Sequence, residues 1–111
     1  MAGRRVVQLS PDFVLKAKKR YPPGGSVDGR PRYELFRDTI LKSAIFEFSH
    51  NFDGLPYAIE GVAIKAVITV EVPFFPATVF YGVLRDDGVI EIIDFEPDDD
   101  YFRLLDTDPD D

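Results

Sequence analysis

The sequence predicts an α+β two-layer domain: two helices packed on one face of a mostly antiparallel four-stranded sheet, in the order β-α-α-β-β-β. Three observations carry this. A Ser-Pro-Asp helix start follows a short apolar strand near the N-terminus. A long apolar stripe at helical spacing fills Arg32–Ser49. From Val62 onward the hydrophobic period changes to two, and an Asp-Gly turn lies between two apolar runs. The last three strands form a meander. The first strand, some 50 residues earlier, has to join the sheet at an edge or in the centre.

The elements follow from local chemistry. Arg4-Arg5-Val6-Val7-Gln8-Leu9 predicts a strand ending at Ser10. Ser10 can cap, Pro11 suits the first helical position, and Asp12 favours the positive end of the dipole. This helix is expected to reach about Tyr21, with Phe13, Ala17 and Tyr21 on one face and Val14 widening it. Pro22-Pro23-Gly24-Gly25 stops it, and Pro22–Pro31 forms a long helix–helix connection of the kind that sometimes carries function. In the second helix Tyr33, Phe36, Ile40, Leu41, Ala44, Ile45 and Phe48 form the stripe, while Leu35 and Phe46 lie off it. Val62, Ile64, Ala66, Ile68, Val70 and Val72 then alternate with Ala63, Lys65, Val67, Thr69 and Glu71, predicting a strand with one buried face. Pro73-Phe74-Phe75-Pro76 interrupts. Ala77–Leu84 is apolar on both faces, as a central strand would be, and Val89–Phe95 follows the Asp87-Gly88 turn.

Composition narrows the function. The chain has 111 residues, enough for one domain, and is 45% hydrophobic, which excludes wholesale disorder. It has no Cys and one His, which excludes disulfide scaffolds, thiolate zinc sites, cysteine nucleophiles and imidazole-rich metal sites. No apolar run approaches the roughly 18–20 residues of a membrane span, and Met1–Ser10 lacks a signal-peptide core, so the expectation is a cytoplasmic protein without membrane contact. The net charge is −7, a poor balance for general nucleic-acid binding. The charge is uneven: residues 1–50 carry ten basic and five acidic side chains, and residues 51–111 carry three and fifteen. We therefore divide the chain into a domain over residues 1–96 and an acidic tail over residues 97–111, which either solubilises the protein or lies over its basic first half.

The order and some residues resemble the RelE/ParE superfamily of bacterial toxin–antitoxin toxins. Val7-Gln8-Leu9-Ser10-Pro11-Asp12-Phe13 looks like the opening strand and its Ser-Pro-initiated helix, with the small Ala17 four residues after an aromatic. Val79-Phe80-Tyr81-Gly82-Val83, a charged turn, and Val89-Ile90-Glu91-Ile92-Ile93 look like the two closing strands. The likeness spans about residues 4–96. It implies a toxin-like protein, neutralised by an antitoxin and acting on a cellular target by binding, as ParE-like members are thought to act on gyrase. The superfamily's ribonucleases imply the alternative, an RNA endonuclease with Tyr101 and Arg103, and with Lys65, in catalytic positions. Departures favour binding. Thr78 stands where a basic residue is usual, and Asp98-Asp99-Asp100 would repel a scissile phosphate. A third reading is a non-toxic interaction domain on the same scaffold.

The basic first half is foremost a solvated helix face and Phe74-Phe75 foremost a pair folded into the core beneath the turn; as partner contacts the candidates are Lys16, Lys19, Arg20 and Arg32, and Phe74 and Phe75. An antitoxin is the expected partner; self-association and nucleic acid stay open. His50 at a helix end is foremost a polar terminus, and the Asp98–Asp100 run foremost a tail feature, without the spacing of a calcium loop. There is no phosphate-binding glycine loop, dinucleotide motif or nucleophile elbow, and no cofactor is implied.

Overall fold

The structure, a computed structural model, describes residues 4–98. Its elements are β1 (Val7–Leu9), α1 (Pro11–Arg20), α2 (Tyr33–Phe36), a π-helical turn (Arg37–Leu41), α3 (Lys42–Asn51), a 3-10 turn (Phe52–Gly54), β2 (Lys65–Thr69), β3 (Thr78–Leu84) and β4 (Ile90–Pro97). The sheet order is β1-β4-β3-β2. The meander is antiparallel, and β1 lies parallel to β4 at the edge, Val7 opposite Ile90 and Leu9 opposite Ile92. This is the expected α+β architecture.

Ser10 joins sheet to helix. Its N–H donates to the Ile92 carbonyl (3.0 Å), extending the parallel ladder by one bond. Its hydroxyl accepts from the Phe13 N–H (3.0 Å), satisfying one of the orphan donors of α1. Lys16, near the middle of α1, then reaches β4, donating to an Asp94 carboxylate oxygen (2.7 Å) and the Phe95 carbonyl (2.8 Å). At the other end of the helix Arg30 donates to the Lys19 and Arg20 carbonyls (3.3 and 3.2 Å). Thus the long Pro-Gly connection folds back to cap α1.

The second helical stripe is buried as its spacing requires: Tyr33, Phe36, Ile40, Leu41, Ala44 and Phe48 all enter the core. The helix is not uniformly α, however. A π turn over Arg37–Leu41 separates α2 from α3, and the Thr39 hydroxyl bonds the Leu35 carbonyl beside it (2.6 Å). The core is a phenylalanine cluster. Phe36 sits at its centre, with ring centroids 4.8 Å from Tyr21, 5.3 Å from Phe95 and 6.0 Å from both Phe75 and Phe80. Such pairs add about 0.5–1.5 kcal/mol each beyond their area burial.

The strand after Val62 differs from expectation in length and in phase. Only Lys65–Thr69 pairs with β3, and the inward side chains are Lys65, Val67 and Thr69. Ile68 and Val70, from the more apolar set, are 67% and 74% exposed. Register explains the phase: Val67 lies opposite Phe80 and Lys65 opposite Gly82, both on the helix side. At the far end, β3 and β4 are joined by Asp86-Asp87-Gly88, with Gly88 at φ 85° and the Arg85 N–H donating to the Val89 carbonyl (2.8 Å), which bears out the Asp-Gly turn. A bulge leaves Ile93 unpaired between Asp94, opposite Tyr81, and Ile92, opposite Gly82. It keeps both Ile92 and Phe95 in the core.

Gly82 marks the closest approach of helix to sheet. A Cβ built there would lie 2.7 Å from Phe48 Cε1. We expect Gly82→Ala to lower stability by about 1–3 kcal/mol through overpacking, read as a lower urea midpoint. Adding Phe48→Leu to Gly82→Ala is expected to cost less than the sum of the two single changes.

Candidate functional site

The helix-side candidates are engaged with the fold in differing degree. Lys16 is paired with Asp94. Arg20 stands over the Tyr21 ring (5.7 Å). Lys19 and Arg32 are exposed and have no ion pair among the described residues. Lys18, beside them, lies over Tyr33 (5.4 Å). In the neighbouring connection the Ser26 hydroxyl, then the Arg30 guanidinium, hold the Asp28 carboxyl down to about 2, so that loop keeps its charge pairing across ordinary pH. The basic first half is therefore engaged in part by capping, pairing and ring contacts, and Lys19 and Arg32 stay exposed.

Lys65 occupies a structural position rather than an open site. It is buried, and its ammonium donates to the Phe52 and Asp53 carbonyls (both 3.0 Å), which close the helical run after α3. The Phe52 and Tyr57 rings flank it at 5.0 Å. Tyr101 and Arg103, its expected catalytic companions, lie outside the described residues, as do Asp99 and Asp100. Phe74 and Phe75 separate: Phe75 is 1% exposed and belongs to the core, which corrects its place as a surface anchor, whereas Phe74 is 76% exposed at φ 75°. A non-glycine residue in that region is strained, and the turn it sits in is closed by two bonds between Val72 and Phe75 (3.0 and 3.1 Å).

A recess of about 550 Å³ holds Ser49, His50 and Asp53 together with Arg4 and Arg5. The three side chains are not coupled to one another. The Ser49 hydroxyl donates to the Arg5 carbonyl (2.7 Å), Asp53 pairs with the Arg5 guanidinium (3.2 Å), and His50 bonds the Phe46 carbonyl through Nδ1 (3.0 Å) while stacking on the Phe46 ring. Nucleophilic catalysis needs the nucleophile and base in hydrogen-bond reach; instead, the Ser49 and Asp53 bonds hold Arg5, ahead of β1, to the helix end, and the His50 bond stays within α3. Among the described residues no group of three or more His, Asp or Glu side chains is placed to hold a metal ion. No helix there is long and apolar enough to cross a membrane.

The feature left over is the outer face of the sheet. Both helices pack on the opposite side, where one core cluster contains Phe13 and Phe48 together with Val67, Phe80, Ile92 and Phe95. The outer face runs in rows fixed by register: Ile68–Val79–Glu96, Ala66–Tyr81–Asp94, and Val83–Glu91. Its β2 and β3 half is apolar, its β4 half acidic. None of the three strands contributes a basic side chain to it, since Lys65 points inward and β3 and β4 contain no Lys or Arg. The Asp94 carboxylate turns to Lys16; among the described residues Glu91 and Glu96 have no cation partner. The signal for this face was the run Val79-Tyr81-Val83 in a strand apolar on both sides. It reads as double burial, but among the described residues helices cover only one side.

Comparison of the chain with known protein families, with curated proteins and with solved structures finds no match to any of the three.

Two predictions come from these placements. Lys65→Met keeps the alkyl stem but strips two carbonyls of their donor, and should cost about 1–3 kcal/mol in urea unfolding. Tyr81 is raised above an ordinary tyrosine, first by burial and then by the Glu96 charge and its hydrogen bond. Its contribution to stability is fully present below about pH 10, the unfolded value, and is lost as pH rises through the higher folded value. One tyrosine should therefore ionise late in the tyrosinate absorbance of the folded chain, and that late step should vanish in Tyr81→Phe.

Proposed function

We propose that this chain works by binding protein rather than by catalysis, as the toxin-like, antitoxin-neutralised member of a toxin–antitoxin pair of RelE/ParE type, in the cytoplasm. The observation that carries the binding part is the uncovered apolar half of the outer sheet face. Antiparallel sheets with one solvated face normally place polar residues there. Here the exposed Ile68 stands beside the half-buried Val79 and Tyr81, with Val83 next along β3, and a contiguous apolar surface on a small domain marks an interaction site. The toxin part is supported by the β-α-α-β-β-β order, which is what the resemblance implies. The endonuclease alternative gains no support from Lys65, whose ammonium is spent on the helix end.

The test is induced expression in bacteria of the natural chain and of Ile68→Asp, each with and without the adjacent gene. Growth arrest by the natural chain, relief by the neighbour, and harmlessness of the soluble, folded Ile68→Asp chain are the expected results. Unimpaired growth at good soluble yield of the natural chain would overturn the toxin reading. Arrest that persists undiminished in Ile68→Asp would overturn the assignment of the toxic contact to this face.

A further inference from the structure

We infer that the outer sheet face docks a basic amphipathic helix of a protein partner. The inference rests on the binding reading above and adds the partner's chemistry. Three observations fix that chemistry. First, the apolar half spans two strands, β2 and β3. At about 4.8 Å between strands this is a band roughly 10 Å wide, the diameter of one helix with its side chains. Along β3 it runs from Val79 to Val83, about 14 Å, or some nine residues of helix.

Second, the acids flank the band on one side only. Glu91 faces Val83 across the ladder and Glu96 faces Val79, so both lie one strand away from the apolar row, and among the described residues neither is paired with a cation. A carboxylate in that position gains little from a neutral partner and is repelled by an acidic one. A helix laid along β3 with Lys or Arg down one flank would bring ammonium or guanidinium groups over Glu91 and Glu96 while its apolar stripe covered Ile68, Val79 and Val83.

Third, the open edge of β2 is a poorer place for such a partner. Its start is already covered: the Ala66 N–H donates to the Pro56 carbonyl (3.0 Å) and the Ala58 N–H to the Ile64 carbonyl (2.7 Å). A strand added farther along would sit three strands from β4, about 14 Å, beyond reach of its carboxylates. A nucleic acid is disfavoured by the same two unpaired acids. The outer face of β3 and β4 thus presents acids without a basic side chain from the same strands.

A displayed library of single-helix peptides, selected on the folded chain, tests this. The expected binders carry net positive charge along one flank of an apolar stripe. Their binding should be lost in Ile68→Asp, which removes an apolar contact at a position already exposed to solvent, without threatening the fold. It should weaken about fivefold in the Glu91→Lys, Glu96→Lys double variant, with a shallower salt dependence. Neutral or acidic binders that still require Ile68 would overturn the basic-partner inference and leave the binding reading intact. A homodimer in sedimentation that Ile68→Asp dissolves would overturn it in favour of a second copy. Binders indifferent to Ile68→Asp, or no binders at all, would overturn both.

Discussion

A sheet has two faces, and residues 4–98 supply helices for one of them. The helical surface available is α1 and the broken run from Tyr33 to Asn51, and both pack against the same side. The packing is tight where the two layers meet: Phe48 leaves no room for a Cβ at Gly82, and Phe36 touches rings from Tyr21 just past α1, from the turn before β3, and from β3 and β4. Once that side is filled, alternation along each strand decides everything else. Apart from the bulge at Ile93, every second residue of β2, β3 and β4 is directed away from the helices, whatever its chemistry.

This constraint explains which parts of the fold were legible in the sequence. Ser10-Pro11-Asp12 and Asp87-Gly88 encode their own geometry through a cap, a fixed φ and a positive φ, so helix start and hairpin could be placed from a few residues. The stripe from Tyr33 to Phe48 marked the buried helix face, although not the π turn inside it, because a one-residue widening barely disturbs a stripe. Strand β2 was less legible. Val67 and Thr69 are nearly as compatible with burial as Ile68 and Val70, so period two fixed the strand but not its phase. The deciding contacts are distant: Lys65 must reach the carbonyls of Phe52 and Asp53, and Val67 must meet Phe80. Phe74 and Phe75 diverge for a similar reason, since the Val72–Phe75 turn sends one outward and the other into the core.

The candidate site was visible in part. The apolar outward row of β3 stands in the sequence, but a strand apolar on both sides ordinarily means burial on both sides. Only the count of covering elements separates a buried face from an available one. The basic residues had the opposite history. They form a patch on paper, yet Lys16 ties α1 to β4, Arg30 caps α1, and Arg5 holds the N-terminal strand to Asp53. Much of that charge works within the fold, whereas Glu91 and Glu96 have no cation partner among the described residues.

The most direct test of the account asks which side of β2 meets water. Methyl NMR of the folded chain in the presence of a soluble paramagnetic probe reads this residue by residue. The account predicts strong broadening of the Ile68 and Val70 methyls, intermediate broadening at Val79 and Val83, and none at Val67 or Ile92. Protection of Ile68 together with broadening of Val67 would contradict it, because the strand would then present its other side to the helices and the open face would not exist.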